Sequence, residues 1–271
     1  MPIVEALGLV LVMIGTSLAS GTVAGLLGVG GGTVVVPILE YALCFTDVPP
    51  DLRMHVAVAT SMATIVPTSI ASAFAHDRHR AVDWALVRTW ALPLLAGAVG
   101  GSLLPTRSES HVLTAIFAAV CAVVAIKMML PEDLVRVTTR VPRGGAGAAI
   151  ASVIGGISAM TGIGGGTLSV PVMTLSGVAI QTAIGTAAVF GFAISLPATI
   201  SYLMVDAPAG LPVGTVGLVS ILGALLIAPG SVLAAPLGAW LAHSLSRAAA
   251  ATVFAAFLLV VAARMVYRTL R

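Results

Sequence analysis

The stretch Gly21–Pro37 reads GTVAGLLGVGGGTVVVP, and 134 residues later Gly155–Pro171 reads GGISAMTGIGGGTLSVP, with eight of the 17 aligned positions identical. Both copies interrupt long apolar runs, in which a membrane helix would otherwise continue. A duplicated interruption of this kind is typical of transporters whose binding site lies between two broken helices. The pair of motifs therefore predicts a carrier.

The composition predicts a polytopic, all-α membrane protein. Of the 271 residues, 59% are hydrophobic and 8% are charged, and the mean hydropathy is +1.11. So little polar surface cannot cover a water-soluble fold, which excludes soluble α/β architectures. The cysteines, Cys44 and Cys121, lack the Cys/His spacing of a metal site. We expect a lipid bilayer as surroundings, and neither a metal nor a cofactor.

Two further matches extend the duplication beyond the glycine motifs. Residues 57–63 resemble residues 183–189 at an offset of 126, and residues 117–128 resemble residues 254–265 at an offset of 137. Insertions in loops explain why the offsets differ. Three matches in the same order predict an internal repeat of about half the chain.

The repeat predicts a first membrane half at 1–130, a cytoplasmic linker at 131–145 and a second membrane half at 146–271. Each half contains five hydrophobic segments, of which the first two flank the glycine motif. If those two make one net crossing, ten of the 13 Lys and Arg residues share one side, against eight if all five segments cross. The first count predicts about eight crossings, parallel halves and both termini in the cytoplasm.

The motifs GVGGGT at 28–33 and GIGGGT at 162–167 predict a break in a helix in each half. Non-helical backbone at membrane depth must be buried in protein or line a watery cavity, and glycine permits the tight conformations required. A helix restarting at Thr33 or Thr167, with the threonine as its cap, would aim free N–H groups and a positive dipole end into the break. Such an arrangement suits an anion.

Close helix packing is the alternative reading of these glycines, because Gly-x-x-x-Gly spacing also lets membrane helices approach. An unbroken glycine triplet favours the break, since each glycine weakens a helix by about 1 kcal/mol and packing needs only one small residue per turn. A phosphate-binding loop does not fit, because no Lys follows the motif and its spacing is not GxGxxG.

The charges and hydroxyls also favour an anion. Among the ten acidic residues only Glu40 lies well within an apolar segment, whereas a cation carrier would normally place carboxylates at the midplane. Hydroxyls in the repeated elements could donate to the ligand or bond back to the preceding helical turn. The predicted binding residues are Gly28, Gly30, Gly31, Gly32, Thr33, Thr60, Ser61, Gly162, Gly164, Gly165, Gly166, Thr167 and Thr186.

The cluster His76-Asp-Arg-His-Arg80 is interpreted as a cytoplasmic loop that fixes topology rather than as a metal site.

The paired GxGGGTxxVP motifs, the following Ala-Val-Ala-Thr60-Ser61 and Ile-Gly-Thr186 segments and the closing Phe-Ala-Ala helices resemble the sulfite exporter TauE/SafE family, a four-plus-four helix permease family. The resemblance implies export of a small sulfur-containing anion, such as sulfite, a sulfonate or sulfoacetate, across a bacterial inner membrane. It implies no enzymatic activity and no nucleic-acid partner. Because Thr186-Ala-Ala replaces Thr60-Ser-Met in the second half, the two sides of the pocket would not be chemically equal.

Several alternatives stay open at this level. A carrier for another small solute or a cation, and a non-transporting membrane assembly factor, both fit the composition. The sequence also leaves open the identity of the anion, the direction of transport, proton coupling, eight versus ten crossings and the oligomeric state, a homo-oligomer included.

Overall fold

The computed structural model describes residues 3–46, 48–104, 110–129, 141–206, 210–211, 214–244 and 246–269, which are almost entirely α-helical. The helices are α1 (Ile3–Leu27), α2 (Gly32–Ala42), α3 (Pro50–Arg78), α4 (Trp84–Leu103), α5 (Ser110–Met129), α6 (Gly144–Thr161), α7 (Gly166–Leu175), α8 (Ile180–Leu203), α9 (Ile221–Ser244) and α10 (Arg247–Thr269). A 3₁₀ turn (Leu43–Phe45) follows α2, and an antiparallel hairpin of β1 (Thr215–Val216) and β2 (Val219–Ser220) precedes α9.

The prediction of an all-α polytopic membrane protein is confirmed. Among the described residues, the five helices α3, α4, α6, α8 and α9 are long and apolar enough to cross a membrane. Residues 131–140 of the predicted linker lie outside the described residues, as do Arg107 and Arg271 of the charge count. Near the linker's predicted end, α6 already begins at Gly144.

The predicted loop at 76–80 is in part helical. Because α3 continues to Arg78, His76 lies inside the helix and is fully buried, so the interpretation of the whole cluster as a loop is wrong. The turn ends at Asp83, whose carboxylate accepts hydrogen bonds from the backbone N–H groups of Ala85 and Leu86, each at 3.0 Å. This cap starts α4.

Stripes of small residues bring α1 onto α9. A methyl group on Gly21 would overlap the backbone of Ser231, and one on Gly25 would overlap the carbonyl oxygen of Ala235. These glycines therefore serve close helix packing. Residue numbers rise together along the two helices, so α1 and α9 run parallel.

The same packing joins α4 to α6. Methyl groups on Gly97 and Gly101 would overlap the carbonyl oxygens of Ser152 and Gly156, and these helices also run parallel. In both pairs one helix belongs to the first predicted half and the other to the second. The halves therefore interlock.

The direction of α3 follows from its contacts with α9. Thr60, near the start of α3, accepts a hydrogen bond from the backbone N–H of Ser220, immediately before α9. His76, near the end of α3, has its ring centroid 5.4 Å from that of His243, near the end of α9. The helices α1, α3 and α9 thus point the same way.

Helix α8 matches α3 in the repeat but runs antiparallel to it. The space beside Gly191 is bounded by Cβ of Ser69, 3.2 Å from where its own Cβ would stand, and the space beside Gly185 by Cβ of His76, also at 3.2 Å. Residue numbers therefore rise along α3 in the direction in which they fall along α8. The matched helices α3 and α8 thus run in opposite directions, which contradicts the expectation of parallel halves.

The physical reason lies in the glycine-bearing pair of helices. Ser20 Oγ in α1 donates to the carbonyl oxygen of Gly31 at 3.3 Å, so the chain folds back beside α1 and α2 returns toward the start of α3. The helices α1 and α2 therefore form a hairpin. The expectation of parallel halves had assumed that this pair makes one net crossing of the membrane. We call the end of the molecule where α3 ends and α4 and α6 begin the linker face, and the opposite end the terminal face.

Candidate functional site

The first break separates α1 from α2. Helix α1 ends at Leu27 and α2 begins at Gly32. Between them Gly28, Gly30 and Gly31 adopt positive φ angles of 65°, 75° and 79°. Side chains with a Cβ rarely adopt this region, so the local conformation requires glycine at these positions.

The second break separates α6 from α7 and has a similar form. Helix α6 ends at Thr161, and Gly162 and Gly164 follow with φ angles of 72° and 82°. Gly165 instead has a φ of −68°, and α7 begins at Gly166. The second break therefore needs positive φ at two glycines where the first needs it at three.

The two breaks cross in contact with each other. A methyl group on Gly32 would overlap the carbonyl oxygen of Gly162, and one on Gly166 would overlap the carbonyl oxygen of Gly28. Each contact is the image of the other at the repeat offset of 134. Only residues without a side chain allow the backbones to approach this closely.

The capping prediction for the threonines is wrong. The N-caps of α2 and α7 are Gly31 and Gly165, neither of which offers a side chain, and the helices begin one residue before Thr33 and Thr167. Each threonine instead lies in the first helical turn. A glycine N-cap leaves the first-turn N–H groups without a side-chain acceptor, so the positive end of each helix faces the break.

The hydroxyls of Thr33 and Thr167 have no hydrogen-bond partner among the described residues. Their side chains are 0% and 1% exposed. Leaving a buried polar group unsatisfied costs about 1–3 kcal/mol. Two such hydroxyls at matching positions, each beside an uncapped helix start, are the distinguishing feature of the site.

Two other predicted hydroxyls are occupied by backbone. Thr60 Oγ1 accepts from the N–H of Ser220 at 2.9 Å, and Thr186 Oγ1 accepts from the N–H of Asp83 at 2.9 Å. These pairs are again images of each other. These two hydrogen bonds hold the segments before α9 and α4. The hydroxyls of Thr60 and Thr186 are therefore engaged with backbone, unlike those of Thr33 and Thr167.

Ser61 distinguishes the first half from the second. Its Oγ donates to the carbonyl oxygen of Gly162 at 2.9 Å. The matching residue of the second half is Ala187, which has no hydroxyl to offer Gly28. The two breaks therefore differ chemically.

A side chain that the sequence reasoning missed lies between the breaks. Ile65 is fully buried, and its side chain bounds the space beside both Gly30 and Gly164, with its atoms 2.7 Å and 3.4 Å from where their Cβ atoms would stand. The matching residue in α8 is Gly191. No sequence pattern in this chain distinguishes Ile65 from the other apolar residues of α3.

Two cavities lined by described residues lie away from the breaks. One of about 520 Å³ lies on the linker face, beside Asp83, Arg143 and Ser176. The other, of about 250 Å³, is apolar and lies beside Phe74 and Trp84. Within the described part of the chain, His, Cys, Asp and Glu form no group that could hold a metal ion. The residues of both breaks, 28–33 and 162–167, are buried.

Comparison with known proteins gives consistent matches over most of the chain. The sequence profile described as "Sulfite exporter TauE/SafE" matches residues 13–265. A "Probable membrane transporter protein" of Haemophilus influenzae is 35% identical over 252 residues, which cover 91% of this chain and 94% of that protein. "Probable membrane transporter protein YunE" of Bacillus subtilis is 25% identical over 277 residues, covering 95% and 97% respectively. No solved structure matches the chain.

Proposed function

Because the chain belongs to the sulfite exporter TauE/SafE family, we propose that this membrane permease exports a small sulfur-containing anion, such as sulfite, a sulfonate or sulfoacetate. It is a transporter rather than an enzyme, in keeping with the names of its relatives. We place it in a bacterial inner membrane, the compartment that the family implies. The anion binds where the two breaks cross.

The observation that carries the proposal is the pair of unpartnered hydroxyls at Thr33 and Thr167. Each lies in the first turn of a helix whose N-terminal N–H groups lack a side-chain cap. Backbone N–H groups and a hydroxyl are the donors that an oxyanion uses at a helix N-terminus. A ligand that accepts from both hydroxyls would remove the cost of leaving them unsatisfied.

The charge of the site supports an anion over a cation. Residues 28–33 and 162–167 contain no acidic side chain that could neutralise a cation. The helix dipoles present positive ends from two directions, each worth about half an elementary charge. A cation placed between them would be repelled. We assign donor roles to Gly30, Gly31 and Gly32 and to Gly164, Gly165 and Gly166, and contact roles to Gly28 and Gly162.

The remaining predicted hydroxyls support the site through hydrogen bonds to neighbouring backbone. Thr60 and Thr186 position α9 and α4 by accepting hydrogen bonds from the backbone N–H groups that precede these helices, and Ser61 holds Gly162 in place. Their contribution is to fix the breaks rather than to compensate the charge of the ligand.

Purified protein in liposomes tests the function directly. We expect liposomes that contain the protein to release preloaded sulfite or methanesulfonate faster than loaded liposomes without protein. We also expect unlabelled anion to compete with the labelled anion for transport. Efflux of radiolabelled anion measures both the rate of release and the competition. Glycine as a zwitterion and sodium ions serve as control solutes, since neither offers the donors a net negative partner. Transport of sodium or of a neutral solute without competition by sulfur anions would contradict the proposal.

We further propose that the halves 1–130 and 146–271, joined by the linker 131–145, are inverted repeats related by an axis in the membrane plane. Eight long helices then cross the membrane, and the short helices α2 and α7, of 11 and 10 residues, return from the breaks. An α-helix rises about 1.5 Å per residue, so neither spans a bilayer core of about 30 Å. Both outer ends of the chain lie on the terminal face, opposite the linker.

The positive-inside count assigns the linker face to the cytoplasm. By their order in the chain, this arrangement assigns eight basic residues to that face: Arg78, Arg80, Arg88, Lys127, Arg136, Arg140, Arg143 and Arg247. It assigns the other five to the terminal face: Arg53, Arg107, Arg264, Arg268 and Arg271. This assignment replaces the expectation that both termini are cytoplasmic.

Cysteine labelling in intact cells checks this topology. In a background with Cys44 and Cys121 replaced by serine, a cysteine introduced in the linker at Arg140 and one at Arg271 should react from opposite sides. A membrane-impermeant maleimide is expected to label only the second. Labelling of both positions from the same side would restore the parallel arrangement and remove the inverted repeat.

A further inference from the structure

A histidine lies fully buried beside the last turn of α1. Nε2 of His76 in α3 is 2.7 Å from the carbonyl oxygen of Gly25, three residues before the first break. Because a carbonyl oxygen can only accept, Nε2 carries the hydrogen of this bond. The other ring nitrogen, Nδ1, is buried and lacks a hydrogen-bond partner in the described part of the chain.

The second half meets the same structural need with a tyrosine. Tyr202 lies 126 residues after His76, at the offset that relates α3 to α8, and its Oη donates to the carbonyl oxygen of Ala159 at 2.9 Å. Ala159 lies 134 residues after Gly25, at the offset that relates α6 to α1. The fold therefore needs only one donor at this position. An imidazole adds a second nitrogen, which packing does not use.

Two further imidazoles connect His76 to the linker face. The ring centroid of His243 is 5.4 Å from that of His76 and 4.3 Å from that of His79. His79 and His243 are exposed, whereas His76 has no exposed surface. The three rings thus form a path from solvent to the end of α1.

Among the described residues, His243 is the titratable group whose ring lies against that of His76, and the ring of His79 lies against His243 on its other side. His79 comes from the end of the same helix and His243 from α9. Helix α1 presents the Gly25 carbonyl and α8 presents Gly185, neither of which titrates. Buried ionisable groups of this kind in membrane helices are commonly functional, because burying them without use is costly.

We propose that His76 is a proton-binding site that couples movement of the anion to movement of a proton. A proton reaches His76 from His243, directly or after passing from His79 to His243, and an N–H bond of His243 breaks as a new N–H bond forms at Nδ1 of His76. The imidazolium then carries a full positive charge next to the helix that leads into the first break. On release, the Nδ1–H bond breaks and the proton passes to water.

The coupling is electrostatic and reciprocal. A charge on His76 attracts an anion at the crossing of the breaks, and a bound anion in turn favours the protonated ring. Proton and anion are then bound together and move in the same direction. This inference rests on the proposed function, because the anion is the partner to which the proton is coupled.

The pH dependence of anion binding tests the proposal. Methanesulfonate is the probe, since its charge does not change where histidine titrates. We expect its affinity for the wild-type protein, measured by calorimetry in detergent, to be at least about fivefold higher near pH 5.5 than near pH 7.5. In His76→Gln and His76→Tyr, which keep a donor for Gly25, we expect less than about a twofold difference.

A matched control removes another histidine of the same helix. His55→Gln should keep the wild-type pH response, because His55 lies near the opposite end of α3. A wild-type response in His76→Gln would overturn the proposal, as would an affinity of the wild-type protein that does not change with pH.

Failure of the proposed function can be told apart from failure of the proton site. If methanesulfonate and sulfite both fail to bind at either pH, the anion assignment is lost. Nitrogen NMR of protein with labelled histidine then decides the proton site separately. A His76 ring signal, assigned by its absence in His76→Gln, that titrates between about pH 3 and 8 supports the site, and one that stays neutral throughout this range overturns it.

Discussion

Alanine at Gly166 is expected to reduce transport strongly while leaving the protein in the membrane. The added methyl group would overlap the carbonyl oxygen of Gly28 in the opposite break, and the nearest atoms are backbone, which cannot rotate away. Overpacking of this kind costs about 1–3 kcal/mol, which at a binding site corresponds to roughly 5- to 150-fold. Efflux from liposomes, normalised to folded protein, measures the loss. Gly32→Ala should behave alike, because it meets Gly162 in the mirrored contact.

Two alanine variants separate this effect from general damage. Gly100 in α4 has no atom within 4 Å of the position of its Cβ, so Gly100→Ala should leave transport unchanged. Gly101→Ala overlaps the carbonyl oxygen of Gly156 at the seam of α4 and α6, and should lower thermal stability without a specific loss of flux per folded molecule. Wild-type flux in folded Gly166→Ala protein would disprove the crossing of the breaks as the site.

The double change Thr33→Val and Thr167→Val is expected to separate stability from function. Valine keeps the shape of threonine, and each hydroxyl that it removes is buried and makes no hydrogen bond in this structure. Stability should therefore stay equal or rise. A hydrogen bond from a hydroxyl to a charged ligand is worth about 1.5–3 kcal/mol, so each substitution should weaken anion affinity by roughly 10- to 150-fold. Thermal melting and a binding titration on the same sample test both halves of the prediction.

Thr68→Val provides the matched control for these substitutions. Thr68 is equally buried, but its hydroxyl donates to the carbonyl oxygen of Thr64 at 2.8 Å within α3. Its loss should change melting slightly and binding not at all. If Thr33→Val and Thr167→Val bound the anion as tightly as the wild-type protein, the hydroxyls would have no role in the site.

Long apolar runs and repeated motifs predicted the helices well, because their signal is local. The five segments expected in the first half correspond to α1 to α5. The glycine motifs also predicted where helices end and restart, to within one residue at Gly32 and Gly166. That residue matters chemically, since it makes Gly31 and Gly165 the caps and leaves the threonine hydroxyls unpaired.

The direction of the halves could not be obtained in the same way. A sequence match shows that two segments are similar, but it carries no information on whether they run parallel. The charge count favoured the parallel arrangement because it assumed that the chain continues across at the first break. The contact of Ser20 with Gly31, which reverses the chain, has no signature in the sequence.

The partners of the polar side chains were equally hidden. Thr60 meets Ser220, and Ser61 meets Gly162, at separations of 160 and 101 residues. Such pairs depend on the packing of whole helices. His76 was assigned to a loop because charged neighbours at Asp77 and Arg78 dominate the local composition, although the helix continues through them. The correspondence between His76 and Tyr202 can be recognised only when the carbonyl groups to which they donate, those of Gly25 and Ala159, are known.

The interlocked helix pairs have a consequence for how the protein is made. Ribosomes deliver the chain from its amino end, so α4 enters the bilayer before α6 and α8, the helices on which it packs, have been synthesised. Its glycines at Gly97 and Gly101 then face lipid instead of the carbonyls that they fit. Insertion and assembly are therefore separate stages of biogenesis. The early helices stay loosely associated until α9 packs between α1 and α3 and α10 packs against α5, which completes the fold.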